Sequence, residues 1–268
     1  MKIGIGGLAL FLLAPLFASE MENLGRQLFF DKRLSVDGTV SCASCHRPDR
    51  AFSDPNPVST GVRGARGQFN APSVLNLQTA RLFFWDGRAC SLEQQAEGPL
   101  LSPIEMGNTR EDLERRIAEI PEYRQRFRLS FGSTAVTLER ITKAIAAYER
   151  TLTSPPSLYD DFRRGRRERW TNEHELGRQL FFGKAECSRC HSGPQFTNQQ
   201  LEPNDFGQMF KTPPLREAMR TAPYMHDGAV GSLAQVLYMH KRAVFLDPLE
   251  RQALLRFLES LSSYLPPY

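Results

Sequence analysis

The sequence predicts an all-α chain made of two tandem copies of one plan, and three observations predict it. The heptapeptide Leu24-Gly25-Arg26-Gln27-Leu28-Phe29-Phe30 returns unchanged about 150 positions later as Leu176-Gly177-Arg178-Gln179-Leu180-Phe181-Phe182. Each copy leads to a Cys-x-x-Cys-His segment, Cys42-Ala43-Ser44-Cys45-His46 and Cys187-Ser188-Arg189-Cys190-His191. Elsewhere apolar residues recur at helical spacing, and no alternating run of strand length is present.

Cys-x-x-Cys-His is the attachment signal for c-type haem: the two thiols form thioethers to the porphyrin and the adjacent histidine ligates iron. A disulfide, a zinc knuckle and a thioredoxin-like redox pair are the other readings of paired cysteines. Zinc requires four convergent ligands, whereas here each pair runs straight into a histidine behind the same helical signature. The expectation is therefore two cytochrome c-like domains, residues 19–160 and 161–268, each with one covalently attached haem c.

At 268 residues, 41% hydrophobic and 24% charged, the chain can bury a core in each half. Residues 1–18 read as a secretory signal: Lys2, an apolar run from Ile3 to Phe17, then small residues. That run is short for a bilayer span, so no span is expected once the signal is removed. Export agrees with haem attachment and places the protein in the periplasm. Four of the five cysteines belong to the haem signals, which leaves Cys90 as a small buried residue or a thiol without a role. A net charge of +4 is too small to imply nucleic acid. The one basic run, Arg163-Arg164-Gly165-Arg166-Arg167-Glu168-Arg169, is a solvated linker face or a surface that steers an acidic redox partner.

Taken in order, residues 22–30 have helical spacing and precede a turn-rich loop and the first haem signal. Residues 47–67, rich in Pro, Gly, Asp, Ser and Arg, read as loop. Ser91 caps a helix that runs through Ala96 and stops at Gly98-Pro99. Thr109 caps the next, with Leu113, Ile117 and Ile120 on one face; Pro121 interrupts it, and a second piece runs over 122–131. The strongest helix starts at Thr137 and aligns Leu138, Ile141, Ala144, Ile145 and Tyr148. A linker follows over 154–170. After the second haem signal, 192–214 reads as loop, 232–239 as a short helix, and Asp247-Pro248-Leu249-Glu250 starts the last helix, with Leu254, Leu255, Phe257, Leu258 and Leu261 along it.

The motif makes His46 and His191 the proximal ligands. The opposite face of each iron decides function, because an iron with two strong protein ligands passes electrons while an open one reacts with peroxide. His174, His226, His240 and seven methionines are the residues left to fill those faces.

The ordered set Cys-x-x-Cys-His, Asn70-Ala71-Pro72-Ser73, Phe84-Trp85-Asp86-Gly87-Arg88, Gln95-x-x-Gly98-Pro99, Glu105-Met106, the second Cys-x-x-Cys-His, Pro214-Leu215-Arg216 and Ala222-Pro223-Tyr224-Met225-His226-Asp227-Gly228 resembles the bacterial dihaem cytochrome c peroxidase superfamily, which includes the MauG-type enzymes. The resemblance spans essentially the whole mature chain. It implies a peroxidatic N-terminal haem and a C-terminal haem that receives electrons from outside. Trp85 matches the tryptophan between the haems, and Gln95 and Glu105 match the polar pair over the peroxidatic iron. A carboxylate suits that place, since O–O cleavage needs a proton moved from one oxygen to the other. Asn70, Thr221 and Pro223 match a calcium site of one side-chain oxygen and two carbonyls. His226 matches a hydrogen-bonding histidine beside the haem, and His174, near a helix start, reads as solvated.

Two departures matter. Classical members carry a plugging histidine in the loop after the first haem, and that position here is Val62. No histidine lies between His46 and His174, so the first iron is expected to be open without reductive activation. The distal ligand of the second haem, methionine or tyrosine in the two branches, falls on His240, with Met239 and Tyr238 as the alternatives. Bis-histidine ligation lowers the potential relative to Met/His.

The expectation is thus a periplasmic peroxidase that reduces hydrogen peroxide with electrons from a small cytochrome c or cupredoxin. The first alternative is a MauG-like enzyme that uses peroxide to oxidise Trp or Tyr side chains of a partner protein. The second is a dihaem electron carrier without peroxide chemistry. Classical relatives are often dimers, and a homodimer is expected by that analogy.

Overall fold

The computed structural model describes residues 13–204 and 207–264; residues 1–12 of the expected export signal lie outside that part. The helices are α1 (Leu13–Phe30), α2 (Cys42–Cys45), α3 (Leu92–Leu101), α4 (Arg110–Ala118), α5 (Pro121–Phe131), α6 (Leu138–Thr151), α7 (Leu158–Arg163), α8 (Asn172–Phe182), α9 (Leu233–Met239) and α10 (Pro248–Glu259). One short antiparallel pair, β1 (Leu201–Pro203) and β2 (Met209–Lys211), is the only sheet among the described residues. The architecture is all-α in character. Two compact units divide the chain: Met1–Cys42, Gly61–Ala65 and Leu92–Thr151 form the first; Ala43–Thr60, Arg66–Ser91 and Leu152–Tyr268 form the second.

The repeated heptapeptide does the same work in both units. In the first, α1 lies across α6, and a Cβ placed on Gly25 would sit 1.8 Å from the Ala144 carbonyl oxygen. In the second, α8 lies across α10, and a Cβ on Gly177 would sit 1.9 Å from the Ala253 carbonyl oxygen. Only glycine permits backbones to approach so closely. The phenylalanines then close each crossing: Phe29 meets Tyr148 at 5.3 Å and Phe181 meets Phe257 at 5.0 Å between ring centroids. Each of these buried rings contributes roughly 1.5–3 kcal/mol through apolar burial.

Capping follows the sequence closely. The Thr109 hydroxyl accepts the Asp112 amide at 3.1 Å, and Asp247 and Glu250 form a reciprocal capping box on α10. The predicted stripe on α6, from Leu138 to Tyr148, is buried throughout.

Four local expectations are corrected. The helix from Ser91 does not stop at Gly98-Pro99 but runs through Pro99 to Leu101. Leu100 is buried there, and Asn108 holds its carbonyl through both its backbone amide and Nδ2. Within the expected linker a capped helix, α7, forms because the Ser157 hydroxyl and Asp160 carboxylate cap it reciprocally. Part of the expected 192–214 loop is the β1–β2 pair, three residues each and too short to show a period. Cys90 is exposed.

Superposing the two helix crossings pairs Ala144 with Ala253 and therefore Glu149 with Leu258. Glu149 is 3% exposed and its Oε2 has no hydrogen-bond partner. Burial pushes its carboxyl up to about 8, offset in part by Arg150. The neutral acid is thus the folded form, and the stability it allows is fully present below the unfolded carboxyl's pKa and is lost as pH rises toward about 8. Glu149→Gln removes that loss. Chemical denaturation at pH 5 and pH 8 should show the variant gaining on the parent at the higher pH by on the order of 4 kcal/mol. A pH-independent difference would mean that Glu149 is ionised in the fold.

Candidate functional site

Both motif histidines are fixed in the same way. His46 Nδ1 donates to the carbonyls of Phe52 (3.3 Å) and Pro72 (3.1 Å). His191 Nδ1 donates to the carbonyls of Phe196 (3.2 Å) and Pro213 (3.1 Å). Phe52 and Phe196 both carry φ of 55°, a left-handed conformation that is costly for a bulky residue. A proton held at Nδ1 leaves the Nε2 lone pair for a metal, and a carbonyl on the other nitrogen raises ligand basicity. Burial lowers both imidazoles and pushes His191 down to about 4, which keeps them in the neutral form that binds metal. The four motif cysteines are half-buried, on the turn or helical turn just before each histidine. These residues fit haem c.

His191 also faces His240, with ring centroids 6.3 Å apart. Two metal–imidazole bonds of about 2 Å each, plus the distances from ring nitrogen to ring centre, come to about 6 Å. The pair is thus spaced to hold one metal ion between the rings. Met239 and Tyr238 are 59% and 62% exposed, whereas His240 is half-buried. The Arg242 amide donates a long 3.3 Å bond to His240 Nδ1, so ligation through Nε2 requires that contact to be given up.

A second repetition, almost invisible in the letters, organises the loops that follow. Residues 83–89 and 224–230 each close with an antiparallel bridge, Phe83 to Ala89 and Tyr224 to Val230. Each has a left-handed second residue, Phe84 (φ 62°) and Met225 (φ 71°), and a left-handed glycine, Gly87 (φ 72°) and Gly228 (φ 65°). Trp85 and His226 are therefore counterparts. Their carbonyls are held by crossed bonds: the Lys211 amide donates to Trp85 O at 2.7 Å, and the Asn70 amide donates to His226 O at 2.8 Å.

Aromatic contacts fill the same cluster. Phe210 stacks on His226 at 4.2 Å and meets Trp85 edge-on at 6.5 Å, while Phe69 lies 6.1 Å from His226. Trp85 Nε1–H donates to the Asn70 carbonyl at 2.8 Å. Asn70 is buried, and its Nδ2 donates to the carbonyls of Asn56 (3.1 Å) and Pro57 (3.3 Å), so Oδ1 is turned to the other side. An amide oxygen so oriented suits a hard cation. Among the described residues no group of three His, Cys, Asp or Glu side chains is arranged to hold a metal ion.

Gln95 and Glu105 belong to the first compact unit, and both are half-buried. Glu105 is held by its backbone: its carbonyl accepts the Val62 amide at 2.9 Å and its amide donates to Ser102 O at 3.1 Å. Val62 is 1% exposed, and Gly61 is pressed against the carbonyls of Ile104 and Glu105. His174 is half-buried, stacked on Trp170 and bonded to the Thr171 hydroxyl at 2.8 Å, in place of the expected solvated side chain.

Two residues escaped the sequence reading. Arg216, in the Pro-Leu-Arg motif, makes two 2.7 Å bonds to Asp160 and one of 2.9 Å to Pro194 O, tying α7 to the loop behind His191. Lys211 sits in the place of Asn70. Burial pushes its amine down to about 8, and no carboxylate pairs with it among the described residues. The motif could have pointed to Arg216; nothing in the letters marks Lys211.

Residues 19–168 match the family described as di-haem cytochrome c peroxidase. A cytochrome c551 peroxidase of Nitrosomonas europaea is 38% identical over 241 residues, covering 82% of this chain and 72% of that protein. A methylamine utilization protein MauG of Methylorubrum extorquens is 38% identical over 238 residues, covering 81% of this chain and 67% of its own length. The crystal structure of a MauG-like protein associated with microbial copper homeostasis superposes with a TM-score of 0.84 at 29% identity, covering 93% of this chain and 91% of that one.

Proposed function

Since the chain belongs to the di-haem cytochrome c peroxidase family, we propose that it is an exported two-haem enzyme that reduces hydrogen peroxide to water with electrons from a small cytochrome c or cupredoxin. It is an oxidoreductase that uses peroxide. In this reading the domains are residues 19–160, with haem on Cys42, Cys45 and His46, and residues 161–268, with haem on Cys187, Cys190 and His191. Haem iron, when bound, supplies the redox chemistry that divides the O–O bond.

The chain's own groups do the rest. Glu105 carries a proton from the inner to the outer peroxide oxygen, and Gln95 orients the peroxide by hydrogen bonding. Trp85 conducts electrons between the centres. His226 holds its neighbours in place, and Asn70, Thr221 and Pro223 bind calcium through oxygen. His240 completes the second centre. Among the described residues no helix is long and apolar enough to cross a membrane. A homodimer remains part of the proposal by analogy.

The observation that carries this reading is the second imidazole that stands beside His191. His191 faces a second imidazole at 6.3 Å. The loop that follows His46 has a buried valine, Val62, where relatives of the classical type have a histidine. In this reading the second centre passes electrons, and the first, by the family resemblance, takes the substrate.

The His191–His240 pair also favours the MauG-like reading, because bis-imidazole ligation lowers the potential and makes the second centre a poorer acceptor from an ordinary cytochrome c. The pure electron carrier is disfavoured by Gln95 and Glu105. The deciding experiment uses ferric protein that has never been pre-reduced, mixed with hydrogen peroxide and a reduced small cytochrome c. Catalytic oxidation of the donor without a lag is expected. Negligible turnover, with a long-lived oxidised spectrum after peroxide alone, would replace the peroxidase reading with the MauG-like one.

A further inference from the structure

The basic run and an aromatic chain converge on one surface of the second compact unit. Residues 163–169 are all exposed and carry five arginines against one glutamate. Arg166 is paired with Asp161, but Arg163, Arg164, Arg167 and Arg169 have no acid partner among the described residues. The run ends at Trp170, which is half-buried and sandwiched between Phe162 (4.2 Å, 24° between planes) and His174 (5.1 Å, 29°). Arg167 lies over the Phe162 ring at 5.0 Å. Behind Trp170 stands Tyr159, 6.2 Å away, and behind Tyr159 stands Phe196 at 5.4 Å. Phe196 is the residue whose carbonyl holds His191 Nδ1 at 3.2 Å. Rings in near contact therefore run from the arginine surface to Phe196, whose backbone carbonyl bonds the imidazole of the second motif.

We propose that the Arg163-to-Trp170 surface docks an acidic one-electron redox protein, and that Trp170 and Tyr159 relay its electron toward His191. The assignment rests on the peroxidase reading and names the partner by charge. A solvated linker would account for the arginines alone. It would not account for an indole and a phenol, both aromatic groups open to one-electron oxidation, lying one behind the other between the arginines and the histidine clamp. Unpaired surface charge raises the encounter rate with a partner of opposite sign and sets the docking register. Each partner molecule is oxidised by one electron. Two such electrons and two protons convert one hydrogen peroxide into two waters.

The test uses the haem-loaded full chain with a reduced acidic c-type cytochrome and, in parallel, a reduced basic one. Arg163→Glu/Arg164→Glu/Arg167→Glu changes only exposed side chains. It should weaken the Kd for the acidic protein about tenfold or more at low ionic strength, flatten its salt dependence, and tighten binding of the basic protein. A merely structural effect would not move the two in opposite directions. Trp170→Phe should leave the acidic protein's Kd unchanged and slow its oxidation about tenfold, with Trp170→Tyr restoring part of the rate. Parent-like Kd values and salt slopes in the triple variant overturn the docking surface. A parent-like oxidation rate in Trp170→Phe overturns the relay. Binding is measured without peroxide, so the docking result stands apart from the functional reading. If the parent chain fails to reduce peroxide with either protein or with a small-molecule reductant, the peroxidase reading fails instead.

Discussion

Gly177→Ala should prevent the second repeat from seating α8 on α10. The new methyl would lie 1.9 Å from the Ala253 carbonyl oxygen and 2.8 Å from Phe257 Cβ. Neither is the tip of a flexible side chain, so relief requires the helices themselves to separate. That separation would open the contact between Phe181 and Phe257, both almost fully buried. Overpacking usually costs about 1–3 kcal/mol, and a methyl set against backbone belongs at or above the upper end. That is a large share of the total stability of a domain. Gly25→Ala should behave alike in the first unit, where the methyl would meet Ala144 O at 1.8 Å and Tyr148 Cβ at 2.9 Å. Gly231→Ala is the control: its Cβ would find only Gln235 Oε1, at 3.5 Å. Thermal melts of the haem-loaded proteins should show a large loss for both crossing variants and a change of no more than a few degrees for the control. A parent-like melt in Gly177→Ala would mean that the crossing is looser than it stands here.

Glu105→Gln should lower peroxide turnover by about 10²- to 10⁴-fold, the usual contribution of a positioned general acid–base. Glutamine keeps the shape of the side chain, and the position is fixed by backbone bonds to Val62 and Ser102 that the substitution does not touch. The ferrous and ferric spectra and the melting temperature should therefore stay those of the parent, while kcat falls and the affinity for peroxide changes little. The decisive measurement is stopped-flow mixing with peroxide at several pH values. A variant that keeps parent kinetics would remove Glu105 from the chemistry and leave the proton transfer to solvent.

Much of this molecule was legible because its strongest constraints act on side chains. The repeated heptapeptide announces two equivalent helices, Thr109 and Asp247 announce helix starts, and Cys-x-x-Cys-His singles out two histidines. The spacing that singled out His240 also placed it at the residue that faces His191. What stayed hidden is held by backbone atoms. The matching of residues 83–89 with 224–230 survives in the letters only as Asp-Gly, because the frame asks for carbonyls and left-handed φ angles more than for particular side chains. The carbonyls that orient the histidines belong to Phe52, Pro72, Phe196 and Pro213, whose identities say nothing of that duty. Glu149 was unreadable for a different reason: a carboxyl on the inward face of α6 contradicts the apolar pattern around it.

The crossed amide bonds at Trp85 and His226 separate two tasks that proteins usually assign to the same atoms. The same two main-chain bonds keep both loops in register whichever side chains stand at 70, 85, 211 and 226, and the bonds of Asn70 Nδ2 and Trp85 Nε1 are added on one side alone. Equivalent places can then carry an indole on one side and an imidazole on the other, a neutral amide here and an amine there. The scaffold remains two-fold while its chemistry becomes one-sided.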